Sequence, residues 1–295
     1  MLAAEARKSK ASLYASLIRP ANSIMVGFAV IVGVGVASNS VHQIFTWTAL
    51  FGFLTGFAIS SFSMITNDIY DVEVDRVNRL NRPLATGRVS IGTAWTLSIS
   101  YLLIGLLSSA LLGVSTFAIA CVFAFIGWAY NSYAKKLGLL GNSLVAASLA
   151  IPYIFGSISI GQITLNLAYL LALTSFLAGI GREVLKGISD VAGDKVRNVR
   201  SIAVIYGSVA AKRLTSAFFL TAVLSSSFPI IFSLLNRGNA FWIYVILILI
   251  PDSIFLYLTY RVLKMKKDDE ARKLKTTALV GMMTGLVAYL LAGLA

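Results

Sequence analysis

The sequence predicts an all-α membrane protein, a bundle of nine transmembrane helices with a cytoplasmic N-terminus and an external C-terminus. Three observations predict it. Hydrophobic residues make up 58% of the chain and charged residues 13%, with a mean hydropathy of +0.83, far from the balance of a soluble domain. No Asp, Glu, Lys or Arg interrupts the stretches from Ala21 to Thr66, Val89 to Ala134 and Leu137 to Gly181. Each is too long for one crossing of about 20 residues and divides into two at a polar or glycine-containing break. Finally, the basic residues cluster in alternate links.

The predicted spans are 22–38, 44–65, 91–112, 115–133, 142–160, 165–185, 214–235, 241–262 and 276–294. Lys and Arg are retained on the cytoplasmic side, and they set the orientation. Arg7, Lys8, Lys10 and Arg19 precede the first span; Arg76, Arg79, Arg82 and Arg88 follow the second; Lys135 and Lys136 follow the fourth. Arg182 to Arg213 surround the link from the sixth span to the seventh, and Arg261 to Lys275 fill the link from the eighth to the ninth. Of the Lys and Arg residues only Arg237 falls on the other face. Trp47 and Trp242 lie near predicted outer ends, Trp95 and Trp128 near inner ends, as aromatic belts require. Residues 1–295 read as one polytopic domain in the cell membrane, and the basic, polar start has no pattern of a cleaved signal.

Composition also excludes. The single Cys121 permits no intrachain disulfide and no cysteine-type zinc site, and the lone His42, in an interfacial loop, rules out histidine-rich metal chemistry. The formal charge of +13 is distributed for a membrane surface and anionic substrates rather than for nucleic acid.

Most of the acid is concentrated in two windows, 67–77 and 182–196. They hold Asp68, Asp71, Glu73, Asp75, Glu183, Asp190 and Asp194. If helical, the first puts Asn67, Asp68, Asp71 and Asp75 within an arc of about 100°, and the second stacks Glu183, Lys186, Asp190 and Asp194 in a narrow stripe. Like charges at such spacings repel, so a cation is needed to neutralise them. Hard oxygen ligands suit Mg²⁺, which uses one or two carboxylates and fills its other positions with water and substrate phosphate. Asp71-Val-Glu-Val-Asp75-Arg-Val and Asp190-Val-Ala-Gly-Asp194-Lys-Val share the pattern D-V-x-x-D-[RK]-V, each after an even-numbered span. The echo puts two carboxylate faces at equivalent places in two halves of a bundle. Carboxylates flanked by Arg and Lys at the membrane boundary suit a divalent cation together with a diphosphate whose greasy tail enters the bundle, as in a prenyl diphosphate.

The pattern Asn67-Asp68-x-x-Asp71-x-x-x-Asp75, then Arg82-Pro83-x-x-x-Gly87-Arg-Val-Ser90, and later Asp190-x-x-x-Asp194, resembles the two aspartate-rich motifs of the UbiA-type intramembrane prenyltransferases. Arg19-Pro20-x-Asn22, Tyr130-Asn-Ser-x-x-Lys135-Lys136 and Gly141-Asn142 extend the resemblance over essentially the whole chain. It implies Mg²⁺-dependent transfer of a prenyl group from its diphosphate to an acceptor. Asn67, Asp68, Asp71, Asp75, Asp190 and Asp194 are then the metal ligands, with Asp71, Asp75, Asp190 and Asp194 catalytic. The substrate-binding candidates are Arg19, Asn22, Arg82, Tyr130, Lys135, Lys136, Asn142, Arg182, Lys186 and Lys195. Each basic member also reads as a positive-inside anchor, and Tyr130 either faces a carbocation through its ring or sits in the interfacial belt.

The run Asp75-Arg-Val-Asn78-Arg-Leu-Asn-Arg82-Pro83 resembles the archaeal digeranylgeranylglyceryl phosphate synthases, and also the chlorophyll synthases. Quinone-pathway and haem O enzymes tend to carry Arg-Thr where Leu80-Asn81 stands. The archaeal branch implies a geranylgeranyl donor, a phosphorylated glyceryl-ether lipid acceptor and membrane lipids as partners. An aromatic, quinone-precursor or chlorin acceptor is the alternative. One departure is Gly187, where many relatives place an Asp, so the second site has fewer ligands. Asp252, after Pro251, reads either as a functional intramembrane carboxylate or as a group satisfying backbone freed by the proline. Lys264 to Lys275 read as a solvated loop that attracts anionic lipid. A transporter or Mg²⁺ channel would place its charged sites near mid-membrane, where only Asp252 qualifies.

Overall fold

The computed structural model describes residues 9–77, 81–196, 198–235 and 238–295. Arg7, Lys8, Asn78, Arg79, Leu80, Arg197 and Arg237, which entered the charge count or the branch assignment, lie outside the described residues. The described elements are helical: α1 Lys10–Ile18, α2 Pro20–Ser38, α3 Trp47–Tyr70, α4 Val72–Val77, α5 Ile91–Ala110, α6 Val114–Ser132, α7 Leu139–Ser159, α8 Leu167–Ser189, α9 Val191–Val196, α10 Ile202–Ser225, α11 Phe228–Ile231, α12 Asn239–Lys264 and α13 Glu270–Leu294. Among the described residues nine helical segments are long and apolar enough to cross a bilayer: α2, α3, α5, α6, α7, α8, α10 with α11, α12 and α13. Their lipid-side residues, such as Leu107, Leu111, Val114 and Ile246, remain exposed in the isolated chain, as expected where hydrocarbon is the solvent.

Two spans begin well before their predicted starts. The seventh starts at Ile202 rather than 214 and the ninth at Glu270 rather than 276. Charged residues were read as loop, yet a long basic side chain rides on a helix and reaches back to the polar rim. Lys212 does so, donating to the Met265 carbonyl at 2.9 Å. Gly207, at φ 82° and ψ 166°, interrupts α10 inside its first turns.

Both acidic windows break where a continuous stripe was expected. α3 stops at Asp71 (φ −90°, ψ 0°) and α8 at Asp190 (φ −106°, ψ 6°), and a six-residue helix follows each. The Asp75 amide donates to the Asp71 carbonyl at 2.8 Å and the Asp194 amide to the Asp190 carbonyl at 2.8 Å. The seven-residue echo is therefore a repeated turn, with the same hydrogen bond at the same place in two parts of the bundle.

In the bundle, α2 packs on α3 and α7, α3 on α5, α7 on α8, α8 on α10, α10 on α12 and α12 on α13, which returns to α2 and α8. The α2–α7 crossing rests on Gly33 and Gly156. A Cβ on Gly33 would lie 2.4 Å from the Tyr153 carbonyl oxygen, and one on Gly156 would lie 2.3 Å from that of Val30. Backbone contact of this kind is how membrane helices gain dispersion energy without a hydrophobic drive between them.

Candidate active site

The first acidic turn is assembled from four elements. Arg19, at φ 46° and ψ 69°, turns α1 sharply into α2, an uncommon backbone for a non-glycine residue. Its guanidinium donates to the Asp68 carboxylate and to Asn67 Oδ1 at 3.3 Å. Arg82 donates to the same Asp68 at 2.8 Å and pairs with Asp75 at 3.0 Å. Lys135 Nζ, arriving from the end of α6, meets Asp71 at 2.5 Å. Asp68 and Asp75 are only 3% and 4% exposed, and carboxylates so deeply buried stay ionised only when paired.

The loop that delivers Arg82 explains the Arg82-Pro83-x-x-x-Gly87-Arg-Val-Ser90 motif. The Thr86 amide and hydroxyl both donate to the Arg82 carbonyl, and Gly87 takes the left-handed turn at φ 69°. Leu84 and Val89 anchor the loop among Leu13, Leu17, Ile65 and Val72, and Ser90 caps α5 by accepting from the Thr93 amide at 3.1 Å.

Asn131 was not singled out from sequence. It accepts from Asn67 Nδ2 at 3.0 Å and donates to the Ser63 carbonyl at 2.9 Å, so it locks the head of the first turn onto α6. The available signal was a buried amide ending an otherwise apolar helix. Burial pushes the Asp75 carboxyl above the ordinary aspartate range; Arg82 pulls it back, while Asp71 and Asp68 raise it further.

The second turn is more open. Asp190 and Asp194 are half-buried, and Asp190 Oδ1 accepts from Ser189 Oγ at 3.0 Å. Glu183, buried at 7%, pairs with Arg182 at 2.7 Å and with Lys186 at 3.4 Å, so these two cations are already partly neutralised. At Gly187 a Cβ would touch only Ser201, at 3.5 and 3.8 Å, so steric room is not what keeps glycine there. Lys195 and Lys136 are exposed; Asn22 is exposed in the first turn of α2, and Asn142 half-buried in that of α7.

Two features relate the turns. Tyr130, in the last turn of α6, lies within electrostatic reach of Asp71, Glu183 and Asp194. The Lys135–Lys136 turn bridges them through its backbone, since the Arg200 amide donates to the Lys136 carbonyl at 3.0 Å. Gly138, at φ 58°, packs on the Arg200 carbonyl, where a Cβ would lie 2.1 Å away. Among the described residues no three acidic, cysteine or histidine side chains converge as a ready metal cluster, because Arg19, Arg82 and Lys135 stand among the carboxylates of the first turn. The donors themselves are hard oxygens, carboxylate and amide, and fit Mg²⁺.

Asp252 sits midway along α12 and accepts from Ser226 Oγ at 2.9 Å. It lines a cavity of about 20 Å³ with Thr174 and Tyr289, apart from both acidic turns.

The site thus combines two matched acidic turns with arginine and lysine partners at the ends of a helical membrane bundle. Residues 26–287 match the UbiA prenyltransferase family, and the chain belongs to it: it is a multi-pass membrane prenyltransferase. It is similar to the digeranylgeranylglyceryl phosphate synthase of Archaeoglobus fulgidus, 35% identical over 275 residues and 92% of each chain. The enzyme of the same name from Thermococcus sibiricus is 28% identical over 95% of this chain and 97% of its own. Among solved structures, one of digeranylgeranylglyceryl phosphate synthase superposes with a TM-score of 0.84 at 28% identity, covering 97% of this chain and 99% of that one. A UbiA homolog from Archaeoglobus fulgidus bound to GPP and Mg²⁺ shares the fold, with a TM-score of 0.69 at 20% identity over 94% and 99% of the two chains.

Proposed function

We propose that this protein transfers a geranylgeranyl group from its diphosphate to geranylgeranylglyceryl phosphate, with Mg²⁺, to form an archaeal ether-lipid precursor. The observation that carries the reading is the pair of matched turns, Asp71–Asp75 and Asp190–Asp194, each closed by the same amide-to-carbonyl bond, in a chain whose curated relatives share that activity in their name. The acidic rim is the cytoplasmic one, and residues 1–295 act as one domain.

Asn67, Asp68, Asp71 and Asp75 would hold one Mg²⁺ and Asp190 and Asp194 a second. Bound there, Mg²⁺ neutralises the diphosphate and stabilises it as a leaving group. The chain's own cations do the rest of the positioning. Lys135, paired with Asp71, and Arg182, paired with Glu183, would supply positive charge to the diphosphate oxygens. The allylic carbon–oxygen bond then breaks with its electron pair on the diphosphate. The acceptor hydroxyl oxygen forms the new ether bond, and its proton passes to the released diphosphate or to water. Tyr130, at the end of α6, would present its ring to the transient allylic cation. No strong base is needed, because the electrophile is so reactive.

The test is a product assay of the purified protein with geranylgeranyl diphosphate and a panel of phosphorylated glyceryl and aromatic acceptors. Ether-lipid product that disappears with chelator and returns with Mg²⁺ is expected. Preference for an aromatic acid would reject the acceptor, and solute or ion uptake into liposomes without prenyl transfer would reject the reaction.

A further inference from the structure

The transfer chemistry leaves Arg88 without a task. Beside the first acidic turn lies a cavity of about 150 Å³ whose polar wall is Ser16, Arg19, Asp68, Asn81, Arg82 and Arg88. Three guanidinium groups meet there against one lining carboxylate. Arg19 and Arg82 both engage Asp68. Arg88 instead donates to neutral acceptors, Asn81 Oδ1 and Thr86 Oγ1, the latter at 2.9 Å. The cavity wall therefore carries surplus positive charge.

An anion is the fitting occupant, and planar guanidinium forks suit phosphate oxygens in particular. Two sources of phosphate exist, the donor's diphosphate and a phosphomonoester on the acceptor. The lining favours the second. It draws on α1, the α1–α2 junction, α3 and the loop before α5, with no residue from α6, α8 or α9. The proposed diphosphate partners Lys135, Arg182, Asp190 and Asp194 are absent from that wall, which shares only Asp68 with the proposed metal ligands. The cavity also lies under α1, whose Leu13 and Leu17 are buried against Ile65, Leu84 and Val89 at the polar rim. A lipid headgroup reaches this level while its chains remain in the bilayer.

We infer that this pocket seats the phosphomonoester of the lipid acceptor, with Arg88 as its own anion partner and Asn81 as the residue that aims Arg88, an assignment that rests on the phosphorylated-acceptor reading above. Steady-state kinetics on the full chain in lipid nanodiscs tests it, with geranylgeranyl diphosphate as donor and geranylgeranylglyceryl phosphate or its dephosphorylated alcohol as acceptor. Arg88→Gln should raise KM for the phosphorylated acceptor about tenfold, the worth of one charge-assisted hydrogen bond, and shrink its advantage over the alcohol by a similar factor. The donor KM should move much less. Arg88→Lys should recover part of the loss, and Asn81→Ala should show a smaller rise of the same kind, which keeps the test alive if Arg88→Gln does not fold. A rise in donor KM instead would assign the pocket to the diphosphate, and an undiminished preference for the phosphorylated acceptor in all three variants would overturn the inference. If the wild-type protein makes no distinction between phosphate and alcohol, the acceptor reading itself falls and the pocket assignment with it.

Discussion

At the scale of single residues the site is governed by which cation holds which carboxylate. Arg82 serves two buried acids at once, Asp68 at 2.8 Å and Asp75 at 3.0 Å. Arg82→Ala leaves Asp75 buried without its guanidinium and should cost about 1–3 kcal/mol, discounted from a fully buried pair because Arg82 is one-third open to solvent. A lowered melting temperature in detergent checks this, and an unshifted one would show that Asp75 finds another partner. Asp75 also sets a pH dependence. Its carboxyl keeps its proton above the ordinary aspartate range because it is buried. The stability contributed by the protonated form is thus full below the ordinary aspartate pKa and is lost as pH rises through the raised one. If Asp75 is in the proposed metal set, protons and metal compete for its oxygens, and the Mg²⁺ affinity measured from rate titrations should weaken on acidification, starting at a higher pH than a free aspartate would require. Affinity that stays level throughout that range would remove Asp75 from the metal set.

At the scale of elements, the two broken helices carry the candidate site. α3–α4 and α8–α9 each turn at an Asp and close with an amide-to-carbonyl bond of 2.8 Å. If the two turns share the diphosphate as proposed, Asp71→Ala and Asp194→Ala should each cut turnover by about 100-fold or more with the fold intact. Near-normal turnover in either variant would exclude it from the site. The α2–α7 seam makes a different demand. Because a side chain on Gly156 would run into the Val30 backbone, Gly156→Val should force the two helices apart and lower both yield and melting temperature. The neighbouring-turn glycine Gly161, where a Cβ meets nothing within 4 Å but φ is 77°, should respond only through its backbone, by about 1 kcal/mol.

For the whole molecule, the proposed orientation puts the basic links and the acidic turns on the cytoplasmic side, following the positive-inside rule. With the half-buried Cys121 replaced to give a cysteine-free background, single cysteines near Glu73 and Ala192 should label from the cytoplasmic side and one at Ala295 from outside. Labelling of Ala295 from the cytoplasm would mean an even number of crossings and would sink the proposed orientation.

Sequence by itself determined the membrane class and the nine spans, since hydrocarbon thickness and the cost of burying charge leave their imprint directly on composition and spacing. The two acidic windows were legible for the same reason: carboxylates are rare in such a chain, and their spacing repeats. Span boundaries at Ile202 and Glu270 were not, because a lysine that reaches back to the polar rim looks like loop in one dimension. The break of each stripe at Asp71 and Asp190 was hidden too, since a single residue with ψ near zero leaves no compositional trace. Only the tertiary structure decided which side chains meet: that Asn131 locks Asn67, that Glu183 engages Arg182 and Lys186, that Arg82 serves two acids, and that Arg88 faces a pocket with neutral partners. These pairings depend on helices far apart in the chain crossing at close range, and that geometry is set by packing, through contacts such as Gly33 and Gly156, rather than by any local pattern.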